Sequence, residues 1–322
     1  MHSVDDLSEP SSRDKDVMRN AMPEGQRYVL VTAAYNEERY IEALIQSVIG
    51  QTVSPLRWVI VSDGSTDRTD EIVRQYAAQC DFIELLRIEE DHPRNFAAQV
   101  HAINAGLARL KTLDFDFVGN VDADVTFDPS YFSNLLSVFS TDPRLGLAGG
   151  DIFEKQDGEF RPRALNRESS VAHAAQCFRR ECFDTIGGCY LALPYGGPDS
   201  YADVLSRMNG WHVRSIASLR VFHHRPTGGA SGWARGAFRQ GRMDYSLGIH
   251  PVFELGRLML RVTSRPFVFY AGVRLVGFCI SYLSTEKRMV SLDFVRFLRR
   301  EEAERLRLLF LKPAASDHST AP

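Results

Sequence analysis

The chain has 322 residues, 44% hydrophobic and 25% charged, an ordinary globular composition with ample material for a core. Net charge is -3, but from Thr227 onward there are 15 Lys/Arg against 8 Asp/Glu, leaving about -10 on the first 226 residues. This balance argues against nucleic-acid binding by the main domain, and for a tail that meets an anionic surface such as a membrane. Five cysteines with no CxxC pair indicate neither a zinc site nor a disulfide framework, and they favour a reducing compartment.

Residues 1–26 are polar and rich in Ser, Asp and Pro, without the apolar core of a signal peptide. The expectation is a disordered leader on a cytoplasmic protein. Tyr28 to Ala34 then reads as a first strand, broken at Tyr35-Asn36-Glu37-Glu38, with a helix following through about Ile49. Trp58 to Val61 is a second strand, ending in Ser62-Asp63-Gly64-Ser65-Thr66-Asp67, and Thr69 to Ala78 a second helix. A third strand, Phe82 to Ile88, leads through a polar loop to a helix over Phe96 to Leu110.

The fourth strand, from Phe117, ends at Asp122-Ala123-Asp124. At a period of two, both carboxylates point to the same side of an extended backbone. Like charges so close repel unless a cation sits between them, and hard oxygen donors suit Mg2+ or Mn2+. A surface turn would carry the same residues.

Strands alternating with helices predict an α/β fold, a mostly parallel sheet with helices on both faces. In such sheets ligands bind beyond the carboxyl ends of the strands, where all three polar clusters fall. No GxGxxG follows the first strand and no GxxxxGK[ST] is present, which disfavours a dinucleotide dehydrogenase or P-loop enzyme.

Ala33-Ala34-Tyr35-Asn36-Glu37-Glu38, Trp58 to Asp67 and Asp122-Ala123-Asp124 together resemble, in order and spacing, the family 2 glycosyltransferases of the GT-A (Rossmann-like) fold. The resemblance covers roughly Arg27 to Pro226. It implies a nucleotide-sugar donor held by Ala33, Tyr35 and Glu37 around the nucleoside, Asp63 at the base or ribose, and Asp122 with Ala123 near the ribose or donor sugar. It also implies Asp124 as ligand of a Mg2+ or Mn2+ ion, Arg94 near the diphosphate, and Asp67 as a helix cap.

Where the family carries a Glu-Asp pair, this chain has Pro198-Asp199. Asp199 is the implied catalytic base, with Asp203 one turn along the same helix face in reserve. His223, or in reserve His224, falls at the strand end where such catalytic domains close and is a candidate to complete the metal shell. Gly228, Gly229 and Gly232 suit a closing loop.

The tail after Thr227 reads as a helical extension, with basic helices at Trp233 to Tyr245 and Pro251 to Arg265. Pro266 to Ser284 is apolar except for Arg274, Ser281 and two glycines. Nineteen residues suffice to cross a bilayer, but a central Arg274 costs about 3 kcal/mol there, so an interfacial or re-entrant helix pair is expected. A helical cap packed on the catalytic domain fits the same pattern. Leu292 to Leu311 is a charged amphipathic helix with Glu301 and Arg305 spaced for an i,i+4 pair.

The expected organisation is a leader (1–26), a catalytic domain (27–226) and a membrane-associating C-terminal region (227–322). The expected activity is metal-dependent, inverting transfer of a sugar to a hydroxyl of a lipid-linked saccharide or surface polysaccharide. Its place is the cytoplasmic face of the membrane, as a peripheral or monotopic protein. Transfer to a polyprenyl phosphate is one alternative. A non-catalytic, nucleotide-sugar-binding membrane subunit is another.

Overall fold

The structure is a computed structural model and describes residues 26–89, 96–163, 168–225, 232–261 and 267–311. Most of the expected leader lies outside these residues, as do Arg94, Gly228 and Gly229.

β1 (Tyr28–Ala34) lies between β2 (Arg57–Asp63) and β4 (Phe117–Val121), parallel to both, and β2 pairs in parallel with β3 (Ile83–Ile88). Parallel neighbours need crossovers, which α1 (Ile41–Ile49), α2 (Thr69–Ala77) and α3 (Phe96–Leu110) supply. Alternate strand residues go to opposite faces. Tyr28, Leu30, Trp58 and Ile60 pack with Ile41, Leu44 and Val48 of α1 and Val73 of α2. Val29, Val31, Val59 and Val61 pack with Val100, Ile103 and Leu107 of α3. With both faces covered, these strands read as unbroken apolar runs. Each large side chain so buried contributes about 1.5–3 kcal/mol.

The second half of the sheet is mixed. It contains β5 (Val125–Phe127), β6 (Leu145–Gln156), β7 (Glu159–Pro162), β8 (Ala175–Arg179) and β9 (His212–His223). Between them come α4 (Tyr131–Thr141), α5 (Arg180–Thr185) and α6 (Pro198–Met208). The order is β3-β2-β1-β4-β8-β6-β9-β5, with β7 on β6. The stretch from Arg163 to Arg180, which reads as irregular in the sequence, contains β8, antiparallel to both β4 and β6. The site depends most on the pairing of β5 with β9, which sets Val125 opposite His223.

The C-terminal helices are α7 (Trp233–Ser246), α8 (Pro251–Arg261), α9 (Phe267–Leu283) and α10 (Leu292–Leu311). α7 and α9 cross at two glycines, Gly241 against the Arg274 carbonyl and Gly277 against the Phe238 carbonyl. Arg274, which the sequence marks as a cost inside a bilayer, is buried in protein. Its guanidinium lies 2.5 Å from Asp244 Oδ2 and 2.9 Å from Glu254 Oε1. Leu247, Val290, Phe294 and Val295 bury against Leu193 and Val204, joining the extension to α6. Glu301 reaches Arg207 of α6, at 2.7 Å and 3.0 Å, where the helical spacing suggests a pair with Arg305. A partner on another element can bring two hydrogen bonds in fork geometry, which outweighs a solvated i,i+4 pair.

Candidate functional site

The loops after β1 and β2 are stitched together by side chains. Asn36 adopts a positive φ of 53°, a conformation that Asn tolerates better than most residues. Its Oδ1 accepts the Thr66 amide at 2.8 Å, and its own amide donates to Ser65 Oγ at 3.1 Å. The Glu37 amide donates to Thr69 Oγ1 at 2.8 Å and that of Glu38 to Asp67 Oδ2 at 3.0 Å. Asp67 Oδ1 also accepts the Thr69 amide and hydroxyl, so Asp67 ties down the start of α2. These bonds fix the two loops as one wall. Tyr35 stands exposed on it, while Asp63 is buried at the end of β2.

Opposite this wall are the two carboxylates after β4. Asp122 Oδ1 accepts from Gln99 Nε2 of α3 at 3.2 Å and lies 3.3 Å from His173 Nδ1. Ala123 between them is buried, and so is Asp124. The β5–β9 pairing delivers His223, whose Nε2 is 3.1 Å from Asp124 Oδ1. Arg225 donates from Nε to Asp124 Oδ2 at 2.8 Å and from its terminal nitrogen to Glu37 Oε1 at 2.6 Å. His224 turns away, its amide donating to the Asp124 carbonyl at 2.9 Å and its Nε2 lying 2.9 Å from Thr126 Oγ1.

Burial alone would raise the pKa of Asp124, but His223 and Arg225 outweigh it and hold the carboxyl below its usual range. For Glu37 burial wins over Arg225, and its pKa rises. His223 is raised: burial pulls it down and the contact with Asp124 more than offsets that.

On the far side, Asp199 is half-buried at the start of α6, its Oδ1 accepting the Ser200 amide at 2.8 Å. Asp203 is deeply buried. Its Oδ2 accepts from Ser170 Oγ at 2.7 Å, and both oxygens lie 3.3 Å from the Val171 amide. Burial pushes its pKa up to about 8. That carboxyl is committed to holding residues 170 and 171 against α6, which leaves Asp199 as the less buried of the two. His173 lies between the two sides: burial lowers its pKa, and Asp122 first, then Asp199, raises it to a net increase.

Among the described residues no three His, Cys, Asp or Glu side chains are spaced to hold a metal on their own. Mg2+ and Mn2+ sites that serve phosphates seldom need three, because one or two protein donors are completed by substrate oxygens and water. Asp124 and His223 provide such a pair, and His223 Nδ1 and Glu37 Oε2 are buried without a hydrogen-bond partner among the described residues. The donor set fits a hard divalent cation that arrives with a phosphate ligand.

Arg225, Gln99 and the contact of His173 with Asp122 have no place in the sequence-based assignment. No pattern in the sequence marks Arg225, whose partners lie 101 and 188 residues upstream.

A family model described as Glycosyl transferase family 2 matches residues 29–192. A poly-beta-1,6-N-acetyl-D-glucosamine synthase of Staphylococcus aureus is 29% identical over 146 residues, 45% of this chain and 30% of that protein. An uncharacterized glycosyltransferase of Nostoc is 31% identical over 118 residues, 37% of this chain and 34% of that one. The chain therefore matches about a third of the length of these relatives. In fold it resembles a mannosyltransferase from Pyrobaculum calidifontis solved with GDP-Man and Mn2+, with a TM-score of 0.55 and 17% identity over 91% of this chain and 86% of that one. It also resembles residues 1–349 of TarS from S. aureus in complex with UDP-GlcNAc, with a TM-score of 0.52 and 13% identity over 81% of this chain and 92% of that one.

Proposed function

Because the chain belongs to glycosyl transferase family 2, we propose that it moves a sugar from a nucleotide-sugar donor to an acceptor hydroxyl with inversion, assisted by Mg2+ or Mn2+. The observation that carries this reading is the convergence of Asp63, Asp122 and buried Asp124 at the carboxyl ends of β2 and β4, with His223 brought alongside by β9.

In this reading Ala33, Tyr35, Glu37 and Asp63 bind the nucleoside, and Asp122 with Ala123 faces the ribose or the donor sugar. Arg94 serves the diphosphate. Gln99 and His173 hold the Asp122 carboxylate in one orientation. Asp124 and His223 hold the cation, which when bound supplies Lewis-acid neutralisation of the leaving diphosphate, an effect worth several kcal/mol. Asp199 accepts the proton of the acceptor hydroxyl as that oxygen attacks the anomeric carbon from the face opposite the leaving group. The carbon–oxygen bond to the diphosphate breaks as the new glycosidic bond forms, and a single displacement inverts the centre.

We place the acceptor, a lipid-linked saccharide or a surface polysaccharide, at the cytoplasmic face of a membrane. Phe269, Val276, Ile280 and Leu283 form an exposed apolar stripe on α9, Phe269 and Leu283 being 76% and 80% exposed. Among the described residues no helix is long and apolar enough to cross a membrane. A stripe on a region with excess positive charge suits a helix lying on an anionic surface.

The test is a thermal-shift screen of UDP-, GDP- and dTDP-sugars with and without Mn2+. One nucleotide should raise the melting temperature only with the metal present. No shift with any of them would contradict the reading.

A further inference from the structure

Asp124 and Glu37 come from different strand ends, and the charge between them is supplied by the chain itself. Arg225 donates to Asp124 Oδ2 at 2.8 Å and to Glu37 Oε1 at 2.6 Å. The two carboxylates are almost buried, with side chains 6% and 11% exposed, whereas that of Arg225 is 44% exposed. Its guanidinium carbon lies 5.6 Å from the centre of the Tyr40 ring, so the group is packed on one side and open on the other. Asp124 Oδ1 faces His223 and Oδ2 faces Arg225, so both oxygens of the expected cation ligand are engaged.

A divalent cation approaching Asp124 meets a fixed positive charge at hydrogen-bonding distance from the same carboxylate. The two cations repel, and Arg225 must leave before Asp124 Oδ2 is available. A diphosphate changes that balance, because it offers the guanidinium an anionic partner of matching fork geometry. We infer that Arg225 is an internal counter-ion that occupies the cation position in the donor-free chain and is exchanged for the metal when a nucleoside diphosphate enters. Bare metal is then disfavoured, and metal and nucleotide bind cooperatively. This inference rests on the metal reading of Asp124 proposed above.

The experiment measures Mn2+ binding to the full chain by the loss of the free Mn2+ electron paramagnetic resonance signal, without nucleotide and with UDP or GDP. If the competent fraction of donor-free protein is about a tenth, removing the competitor tightens binding about tenfold. Arg225→Ala should therefore bind Mn2+ about tenfold more tightly than the wild type without nucleotide, and Asp124→Asn added to it should abolish the gain. With nucleotide present the advantage should vanish. Arg225→Met, which keeps a long unbranched side chain and removes the charge, serves as a second variant, and melting curves confirm that each is folded. Equal Mn2+ affinity of wild type and both variants without nucleotide, where wild type binds Mn2+ with nucleotide, overturns the inference alone. Failure of the wild type to bind Mn2+ even with nucleotide contradicts the metal reading itself, and the inference with it.

Discussion

His173 Nδ1 lies 3.3 Å from Asp122 Oδ1, linking the segment before β8 to the carboxylate after β4 across 51 residues of sequence. Burial lowers the pKa of His173 and Asp122 raises it by more, so the folded value is above the unfolded one. The stabilisation is then fully present below the unfolded value of about 6.5 and is lost as pH rises through the folded value. His173→Gln should weaken nucleotide-sugar binding several-fold, on the scale of one hydrogen bond at about 1 kcal/mol. It should also remove the part of the decline in stability that sets in above about pH 6.5. Titration calorimetry and melting curves at a series of pH values check both.

Asp203 offers the cleaner pH signature. Its folded pKa is about 8, raised by burial, while an unfolded Asp titrates near 3.9. Between those values the folded chain holds a proton that the unfolded chain has released, so stability falls with rising pH, by at most about 1.4 kcal/mol per unit. Asp203→Asn, which can still accept from Ser170 and Val171, should flatten that fall while leaving transfer largely intact. Loss of transfer with the fold preserved would return Asp203 to the catalytic role.

Much of the first half of the chain is legible without the structure. β1, β2 and β4 are largely apolar runs bounded by polar clusters, and α3 spans the residues its periodicity predicts. β8 is hidden because Gln176 and Arg179 interrupt its apolar pattern. Both are satisfied by distant groups: Gln176 by the Val171 carbonyl and the Tyr190 hydroxyl, and Arg179 by the carbonyls of Leu145 and Phe139. Arg225 is hidden for a related reason. Its partners lie 101 and 188 residues upstream, and only the pairing of β5 with β9 brings them together. Arg274 in an apolar run reads as a penalty until Asp244 and Glu254 appear beside it.

The α7–α9 crossing tests the packing of the C-terminal helices. A Cβ on Gly241 would meet the Arg274 carbonyl, whereas one on Gly272 would meet nothing within 4 Å. Gly241→Ala should cost about 1–3 kcal/mol in denaturant unfolding, as overpacking does. Gly272→Ala should be neutral or stabilise by up to about 1 kcal/mol through helix propensity.

The exposed stripe on α9 makes the membrane reading testable in the full chain. Phe269→Glu with Leu283→Glu should abolish co-sedimentation with vesicles containing phosphatidylglycerol. Each buried apolar side chain is worth about 1.5–3 kcal/mol of partitioning. Both side chains are exposed, so the melting temperature should barely change. Co-sedimentation equal to that of wild type would rule the stripe out as a membrane contact.

Everything proposed for the donor turns on the Asp124 carboxylate, set against His223, as the holder of the cation. The direct measurement compares Mn2+-dependent turnover of the nucleotide sugar by wild type and Asp124→Asn, an isosteric change that keeps a hydrogen-bond acceptor and removes the charge. Several kcal/mol of transition-state stabilisation corresponds to a loss of at least about 100-fold. Asp124→Asn should show that loss with the fold retained, and unchanged Mn2+-dependent turnover would contradict the assignment of the cation to this carboxylate.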